Sequence, residues 1–258
     1  MLFIKRFLII FITLSQLSHV TLPAQISDSV AIAPVWYQKK AVSTLLVPSI
    51  LIGAGIATMN DNGFYSSQDA YECIQRNYLD FSNHIDDHLI YIPVAGAYVL
   101  NFAGVKGKNN FFDRSVICFI SFSLATITFG TVKKTSGVLR PDGSDFRSLP
   151  SGHTTLAFVS ATILHEEYKE KSIWYSVAGY SIATATGAIR MLNNKHWMSD
   201  VFVGAGLGIL TTKTVYLVYP VVKKWIISED KGRSNNNLTL APNIYPGHYG
   251  IYLQYRIH

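Results

Sequence analysis

The residues best suited to chemistry are a histidine and an aspartate that stand four positions apart. His196 and Asp200 lead into an apolar segment, and residues four apart on a helix share a face. An aspartate that accepts a hydrogen bond from one ring nitrogen leaves the other nitrogen free to attack an electrophile. Because the same spacing also occurs at ordinary capped helix ends, the pair becomes informative only through its neighbours.

Small and positively charged residues stand at the ends of the neighbouring apolar segments. A helix N-terminus offers an anion its unpaired N–H groups and the positive end of a dipole, and a glycine there lets the backbone approach a ligand closely. Arginine matches the oxygens of a phosphate two at a time. If successive segments run antiparallel, all of these ends lie on one face. The candidate anion-binding residues are Lys133, Arg140, Ser151, Gly152 and Arg190, with His153 beside them.

Each of these features alone has a plainer interpretation. Lys133 fits an ordinary lysine at a membrane boundary, and the stretch Pro150-Ser151-Gly152-His153 fits a proline–glycine turn with an incidental histidine. Their order along the chain and their common face favour a functional site over a set of coincidences.

Six apolar segments hold these residues in place. Hydrophobic residues make up 49% of the 258-residue chain and charged residues only 15%, whereas soluble domains carry about 25% charged residues. Most segments are near the lower length limit for a helix that crosses a bilayer, and several contain the small residues that let membrane helices pack closely. We therefore predict an all-α fold, a six-helix membrane-embedded bundle; six buried helices of a soluble bundle are the alternative. The segments are Ala41–Met59, Leu89–Val105, Val116–Val132, Gly152–Leu164, Ile173–Ile189 and Val201–Tyr219.

The N-terminus has the layout of a signal peptide. Lys5 and Arg6 precede an apolar core, and small residues follow before Gln25. This is the pattern of an export signal with a cleavage site. We expect residues 1–24 to be a signal peptide or an uncleaved anchor, and both address the chain to the export machinery.

The rest of the chain divides into three parts. We expect a linker at 25–40, the helical domain at 41–227, and a polar linker with a short C-terminal β-like tail at 228–258. In that tail Ile251, Leu253 and Tyr255 alternate with other residues, which is typical of a strand.

The positive charge of the chain does not indicate nucleic-acid binding. The formal net charge is +6, but the lysines and arginines are scattered over short loops beside apolar segments, which is typical of membrane proteins. The two cysteines, Cys73 and Cys118, do not settle the redox compartment.

Taken together, the polar groups resemble the three-part signature of the type 2 phosphatidic acid phosphatases (PAP2). That superfamily also includes bacterial non-specific acid phosphatases and vanadium haloperoxidases. One position departs from the pattern, because Ile189 stands where the family often has a serine. The matching groups, in order along residues 133–200, are Lys133 with Arg140-Pro141, then Pro150-Ser151-Gly152-His153, then Arg190 with His196 and Asp200.

The resemblance implies a role for each matched residue. His196 is expected to be the nucleophile that forms a phosphohistidine, Asp200 to orient its ring, and His153 to protonate the leaving alcohol. No metal or other cofactor is implied, and the sequence shows no carboxylate cluster suited to Mg²⁺ beside these residues. The residues expected to bind the phosphoryl oxygens are Lys133, Arg140, Ser151, Gly152 and Arg190.

The resemblance also implies an activity and a substrate class. We expect a metal-independent phosphatase of the membrane branch, acting on lipid phosphate monoesters or pyrophosphates such as lipid A, undecaprenyl pyrophosphate or phosphatidate. The alternatives are a soluble periplasmic acid phosphatase, a vanadium haloperoxidase, and a lipid-binding membrane protein whose site has decayed. The expected partners are the lipid substrate and the membrane, with no nucleic acid, and the oligomeric state stays open.

The charges of the loops predict which side of the membrane holds the site. Lys106, Lys108 and Arg114 lie away from the catalytic face with Lys223-Lys224, whereas the loop at 60–87 holds six acids and one arginine. Positively charged loops stay in the cytoplasm, so we expect a bacterial inner-membrane protein whose site faces the periplasm. A cleaved signal followed by six crossings would give the opposite orientation. Either Ala41–Met59 does not cross fully, or the signal assignment is wrong.

A second group of polar residues, in the stretch NHIDDHLIY, has the residue types of metal ligands. It contains His84, Asp86, Asp87 and His88 at the point where the loop meets the second apolar segment. We favour an interfacial or substrate-entrance role for this group. Near the nucleophile, we expect Trp197 to anchor its helix or line the pocket, and Lys195 to be a solvated surface lysine.

Overall fold

Each of the six apolar segments forms a helix, and two shorter helices lie between the first and the second. The computed structural model describes residues 40–59, 65–79, 81–232, 238–245 and 248–255. The expected signal peptide and nearly all of the expected linker lie outside these residues. The all-α prediction is confirmed, whereas the count of six is not, since the described residues form eight helices. They are α1 Lys40–Ala57, α2 Ser67–Asn77, α3 Asp86–Leu89, α4 Ile92–Phe102, α5 Phe111–Ser136, α6 Gly152–Tyr168, α7 Ile173–Leu192 and α8 Met198–Gly232.

The sequence suggested a loop at 60–87, but this stretch contains α2 and the first two residues of α3. Ser66 caps α2: its side chain accepts a hydrogen bond from the backbone N–H of Asp69 at 3.1 Å, and the Asp69 carboxylate accepts one from the backbone N–H of Ser66 at 2.7 Å. A reciprocal pair of this kind is a helix-start signal that can be read from sequence. Because α2 packs on α7, the helix lies beside the segment that carries Arg190.

α6 is the central helix of the bundle. Fifteen of its 17 residues are buried, and α4, α5 and α7 pack around it. Its hydroxyl groups find partners inside the protein. Thr155 and Thr162 donate to backbone carbonyl oxygens one turn earlier, at 2.8 and 2.7 Å, and Ser160 accepts a hydrogen bond from the backbone N–H of Val94 at 2.8 Å. Because these hydroxyl groups are hydrogen-bonded, they can be buried in a helix that is surrounded by protein.

A buried ion pair explains why α6 continues past Leu164, where the sequence predicted its end. Arg114 and Glu167 have no exposed side-chain surface, and Arg114 Nε donates to Glu167 Oε2 at 3.2 Å. Asn109 and Tyr216 also donate to this carboxylate, at 2.7 and 2.8 Å. Because removing one partner of such a pair costs about 3–5 kcal/mol, the cluster fixes α5, α6 and α8 together at the C-terminal end of α6.

α8 contacts its neighbours through glycines. A Cβ atom on Gly208 would overlap the carbonyl oxygen of Thr155 in α6, and a Cβ atom on Gly206 would lie 2.8 Å from the carbonyl oxygen of Pro48 in α1. Small residues allow this kind of close backbone approach between membrane helices. α8 is therefore packed directly against the backbones of both α6 and α1.

Two helices of the described residues are long and apolar enough to cross a membrane, judged by length and composition. They are Phe111–Ser136 and Met198–Trp225, while Thr44–Ala57 in α1 and all of α4 are apolar but shorter. α5 turns large apolar side chains outward, and Phe112 and Phe119 are each 73% exposed. Exposed apolar surface of this kind marks a face that contacts lipid or another protein.

The C-terminal part of the chain forms a β-hairpin. By its internal contacts the chain divides into two compact units, the first ending at Tyr216 and the second covering Leu217–His258. In the second unit β1 (Leu238–Tyr245) pairs antiparallel with β2 (His248–Tyr255). The predicted β-like tail is confirmed, with one strand more than the alternating pattern indicated.

Replacing Gly208 with alanine should destabilise the protein by about 1–3 kcal/mol, because the added methyl group has no room against the α6 backbone. The matched control is Gly53→Ala in α1, where a Cβ atom would have no neighbour within 4 Å. That substitution should leave stability unchanged or raise it by about 0.5–1 kcal/mol. The measurement is thermal unfolding in detergent, and equal melting temperatures for the two variants would contradict the packing described here.

Candidate active site

The residues selected from the sequence meet at the N-terminal end of α6. Lys133 lies in the last turn of α5 and Arg190 in the last turn of α7. Asp200 lies in the first turn of α8, just after His196. The backbone N–H of Ser151, the residue before α6, donates to the carbonyl oxygen of Asp200 at 3.1 Å. Four helix ends thus converge on one end of the bundle.

Asp200 is the central acceptor of the site. Its Oδ2 atom lies 3.4 Å from His196 Nδ1, 2.5 Å from Ser148 Oγ and 2.9 Å from the backbone nitrogen of Trp197. Asp200 is completely buried and His196 is only 3% exposed. Since Nδ1 faces Asp200, the His196 ring has Nε2 left as the nitrogen that can attack.

Burial keeps the His196 ring neutral. It lowers the pKa of this imidazole to about 4, against the opposing effect of the Asp200 carboxylate, and the charges of Lys133 and Arg140 lower it further. Only a neutral imidazole has the lone pair that a nucleophile needs. At neutral pH, the His196 ring is therefore uncharged.

Ser151 is the N-cap of α6. Its hydroxyl oxygen accepts hydrogen bonds from the backbone N–H of Thr154 at 3.4 Å and from the Thr154 hydroxyl at 2.8 Å, so its own hydroxyl proton can be donated to an anion. Gly152 follows, and a Cβ atom there would lie 3.2 Å from the Phe129 ring. The first N–H groups of a helix have no partner inside it and suit an anion.

Three cations are held by hydrogen bonds around this helix start. Lys133 Nζ donates to a backbone carbonyl oxygen at 2.8 Å, and Arg140 Nε donates to Asp145 at 3.0 Å. Arg190 Nη1 donates to Asp86 Oδ2 at 2.8 Å, while its buried Nε atom has no partner among the residues that the structure describes. Each cation keeps further N–H donors that an anion can accept.

Asp86 and Asp87, for which the sequence indicated an interfacial or substrate-entrance role, each contact a residue of the candidate site. Asp86 is completely buried and pairs with Arg190. Asp87 Oδ1 lies 2.7 Å from His153 Nε2. Sequence reasoning missed both contacts because α3 lies outside the three motifs, and no spacing rule connects it to α6 or α7.

The sequence showed no carboxylate cluster suited to Mg²⁺ beside the predicted residues, whereas the structure brings two carboxylates next to His153. One ligand atom from each of Asp86, Asp87 and His153 lies within 4.8 Å of the others, which is close enough to hold a metal ion. His84 and His88, which had the same residue types in the sequence, are not part of this group. In the structure the two carboxylates are instead paired with Arg190 and His153.

Trp197 and Lys195 hold the loop before α8. Trp197 Nε1 donates to the carbonyl oxygen of Leu139 at 2.7 Å, and its ring packs against Tyr71 of α2 with centroids 5.3 Å apart. Lys195 pairs with Asp142 at 2.8 Å rather than being only solvated. A small pocket beside His196 is lined by Ser67, Tyr71, Ile74, Pro141, Met191, Trp197 and Met198.

The part of the chain that carries the candidate site matches a known protein family. Residues 124–224 match the family described as the PAP2 superfamily, and this range contains every residue selected from the sequence for the site. The stretch that carries the candidate site is therefore of the PAP2 type. The PAP2 match does not reach Asp86 and Asp87, which join the site from outside it.

Two individual proteins are also similar to this chain. A protein of Porphyromonas gingivalis named "Lipid A 1-phosphatase" is 33% identical over 202 residues, which cover 76% of this chain and 44% of that protein. The chain thus spans less than half the length of this relative. The chain is also similar to the crystal structure of Aquifex aeolicus LpxE, with 19% identity and a TM-score of 0.43, over 62% of this chain and 98% of that one.

The His196 ring should take up a proton with a midpoint near pH 4 rather than near its ordinary value, because burial disfavours the charged ring. The ring is therefore neutral at every pH well above 4. Nitrogen-15 NMR of histidine-labelled protein in detergent measures this, with the His196 signal assigned by its loss in His196→Gln. A midpoint near pH 6.5 would show that the ring is not desolvated as described.

Proposed function

We propose that the chain is a metal-independent phosphatase that hydrolyses lipid phosphate monoesters or pyrophosphates through a phosphohistidine intermediate, on the periplasmic face of the inner membrane. The observation that supports this best is the buried, neutral His196 ring, held by Asp200 next to the N-terminus of α6. A nucleophile, a helix N-terminus and three cations in one place suit the transfer of a phosphoryl group.

In the proposed first step the phosphoryl group moves from the lipid to His196. Nε2 attacks phosphorus and forms the N–P bond while the P–O bond to the lipid alcohol breaks. His153 donates the proton that the departing oxygen needs, and Asp200 accepts a hydrogen bond from Nδ1 of the positively charged phosphohistidine. The groups that hold the phosphoryl oxygens and offset their charge are Lys133, Arg140, Arg190, the Ser151 hydroxyl and the Gly152 N–H.

In the proposed second step water releases the phosphate. His153, now neutral, takes a proton from a water molecule as the water oxygen attacks phosphorus. The N–P bond breaks, and its electron pair returns to Nε2 of His196. Inorganic phosphate leaves, and both histidines are back in their starting protonation states.

The substrate class is supported by the outer surface of the bundle and by the relative. α5 carries large exposed apolar side chains along a helix long enough to cross a bilayer, which favours a membrane-bound substrate over the soluble esters of an acid phosphatase. The similarity to a protein named lipid A 1-phosphatase supports lipid A as the lipid. Lipid A phosphate is therefore the first substrate to test.

Replacing His196 with alanine should lower phosphate release from lipid phosphates by about four orders of magnitude or more, because the nucleophile is lost. Wild-type activity should persist in EDTA. Rapid quenching with a phosphorus-32-labelled substrate should trap a base-stable, acid-labile label on the wild type and none on His196→Ala. The matched control is His88→Ala, an exposed histidine of α3, which should keep the wild-type rate. Phosphate release that survives His196→Ala, or that needs added metal, would contradict the mechanism.

The side of the membrane on which the site lies can be tested with the native cysteines. The loop charges that support a periplasmic site are fewer than the sequence indicated, because Arg114 is buried in an ion pair. Cys73 is a partly exposed free thiol in α2, the helix whose Tyr71 packs on Trp197 at the site. In a Cys118→Ser background we expect a membrane-impermeant maleimide to label Cys73 in cells with a permeabilised outer membrane and an intact inner membrane.

The control for orientation is a thiol at the other end of the bundle. The backbone N–H of Lys108 donates to the carbonyl oxygen of Glu167 near the C-terminal end of α6, at 3.0 Å. A Lys108→Cys thiol, in a background without Cys73 and Cys118, should react only after the inner membrane is broken. The reverse labelling pattern would place the site in the cytoplasm.

A further inference from the structure

We propose that Asp87 is a positioning residue for the leaving-group acid: it holds Nε2 of His153, so that Nδ1 is the nitrogen that delivers the proton. This assignment rests on the proposed function, since it concerns the first step of that reaction. The contact that supports it is the 2.7 Å distance between Asp87 Oδ1 and His153 Nε2.

Asp87 is placed by contacts that tie α3 to the end of α7. The side chain of Asn193 accepts a hydrogen bond from the backbone N–H of Asn83 at 3.0 Å and donates one to its carbonyl oxygen at 2.7 Å. The next turn is tied by the ion pair of Asp86 with Arg190 at 2.8 Å, in which Asp86 is buried. The neighbouring Asp87 is thus held at a set distance from α6 rather than carried by a free loop.

The two adjacent carboxylates have different partners. The charged groups that face His153 are Asp86 and Asp87 from α3 and, through its action on Asp87, Arg190 from α7; His84 also acts on Asp87. Arg190 offsets the charge of Asp86, so Asp87 is the carboxylate that remains for His153. The hydrogen bond from His153 lowers the pKa of the Asp87 carboxyl, which keeps Asp87 ionised and an acceptor only.

An ionised Asp87 determines which proton His153 can transfer. Before the reaction both ring nitrogens carry a proton, and Nε2–H is donated to Asp87. When the P–O bond breaks, the Nδ1 proton moves to the lipid oxygen and the ring becomes neutral with Nε2–H still held. In the second step Nδ1 is then the free acceptor for the proton of water. Without Asp87 the ring can rotate or keep its proton on the other nitrogen, and the transfer loses its geometry.

The pair is too exposed to matter much for folding. The side chains of His153 and Asp87 are 33% and 52% exposed, and ion pairs at such positions add little to stability. A role in proton transfer is therefore separable from a structural role. A role in proton transfer predicts that the rate lost on replacing Asp87 depends on how strongly the leaving group needs a proton.

The test compares Asp87→Ala with wild type on two phosphate esters. With a lipid alkyl phosphate, whose alkoxide leaves only with a proton, kcat should fall about 10–100-fold. With p-nitrophenyl phosphate, whose phenolate leaves without one, the rate of the first-turnover burst of p-nitrophenol should change by less than about threefold, because the burst precedes the water step that both esters share. In a His153→Gln background, Asp87→Ala should have no further effect on the alkyl ester. The matched control is Glu72→Ala, which removes an exposed carboxylate from α2 and should not change either rate.

The outcomes of this test distinguish a failure of the role assigned to Asp87 from a failure of the proposed function. With an active wild type, an equal loss in the p-nitrophenol burst and in turnover of the alkyl ester would overturn the role of Asp87 alone. An additive loss in the His153→Gln background would do the same. A melting temperature of Asp87→Ala well below that of Glu72→Ala would show a structural role and overturn it as well. A wild type that releases phosphate from neither ester would overturn the proposed function and, with it, this assignment.

Discussion

The buried carboxylate of Asp200 is the interaction on which the candidate site depends. It accepts hydrogen bonds from Ser148 and from the backbone of Trp197, and it faces Nδ1 of His196. The backbone carbonyl oxygen of Asp200 accepts the N–H of Ser151, the cap of α6. All three contacts of the carboxylate are to Oδ2, whereas the buried Oδ1 atom has no partner among the residues that the structure describes, and hydrogen bonds are what stabilise a buried carboxylate. His196, the loop before α6 and the start of α6 are therefore all in contact with the same residue.

The central helix, α6, connects the candidate site to the rest of the bundle. Most of α6 is buried, with the candidate site at its N-terminal end and the Arg114–Glu167 ion pair at its C-terminal end. Between the two, Gly208 brings the α8 backbone against α6. Because both ends of α6 are tied by buried polar contacts, and its side by close packing, the helix cannot slide without breaking one of them. This rigidity is what an anion site built from helix ends requires.

Much of the fold and of the site could be predicted from local patterns. The apolar segments are long enough to identify six helices. The order and spacing of the residues from Lys133 to Asp200 were sufficient to select a candidate site, whose members the structure brings together at one end of the bundle. The cap of α2, Ser66 with Asp69, was also readable but lay in a polar stretch that suggested a loop. The end of α6 was not predictable, because two glutamates after Leu164 favour a solvated end unless a distant arginine is known to pair with one of them.

The sequence by itself determined the chemistry of the three motifs, because their residues lie on helix ends whose positions follow from hydrophobic periodicity and from antiparallel connections. Only the tertiary structure decided the environment of those residues. It buried His196, which makes its ring neutral, and it brought Asp86 to Arg190 and Asp87 to His153 across 104 and 66 positions of the chain. Such contacts depend on how α3 packs against α6 and α7, and no local pattern encodes the distance between two helices that are far apart in sequence.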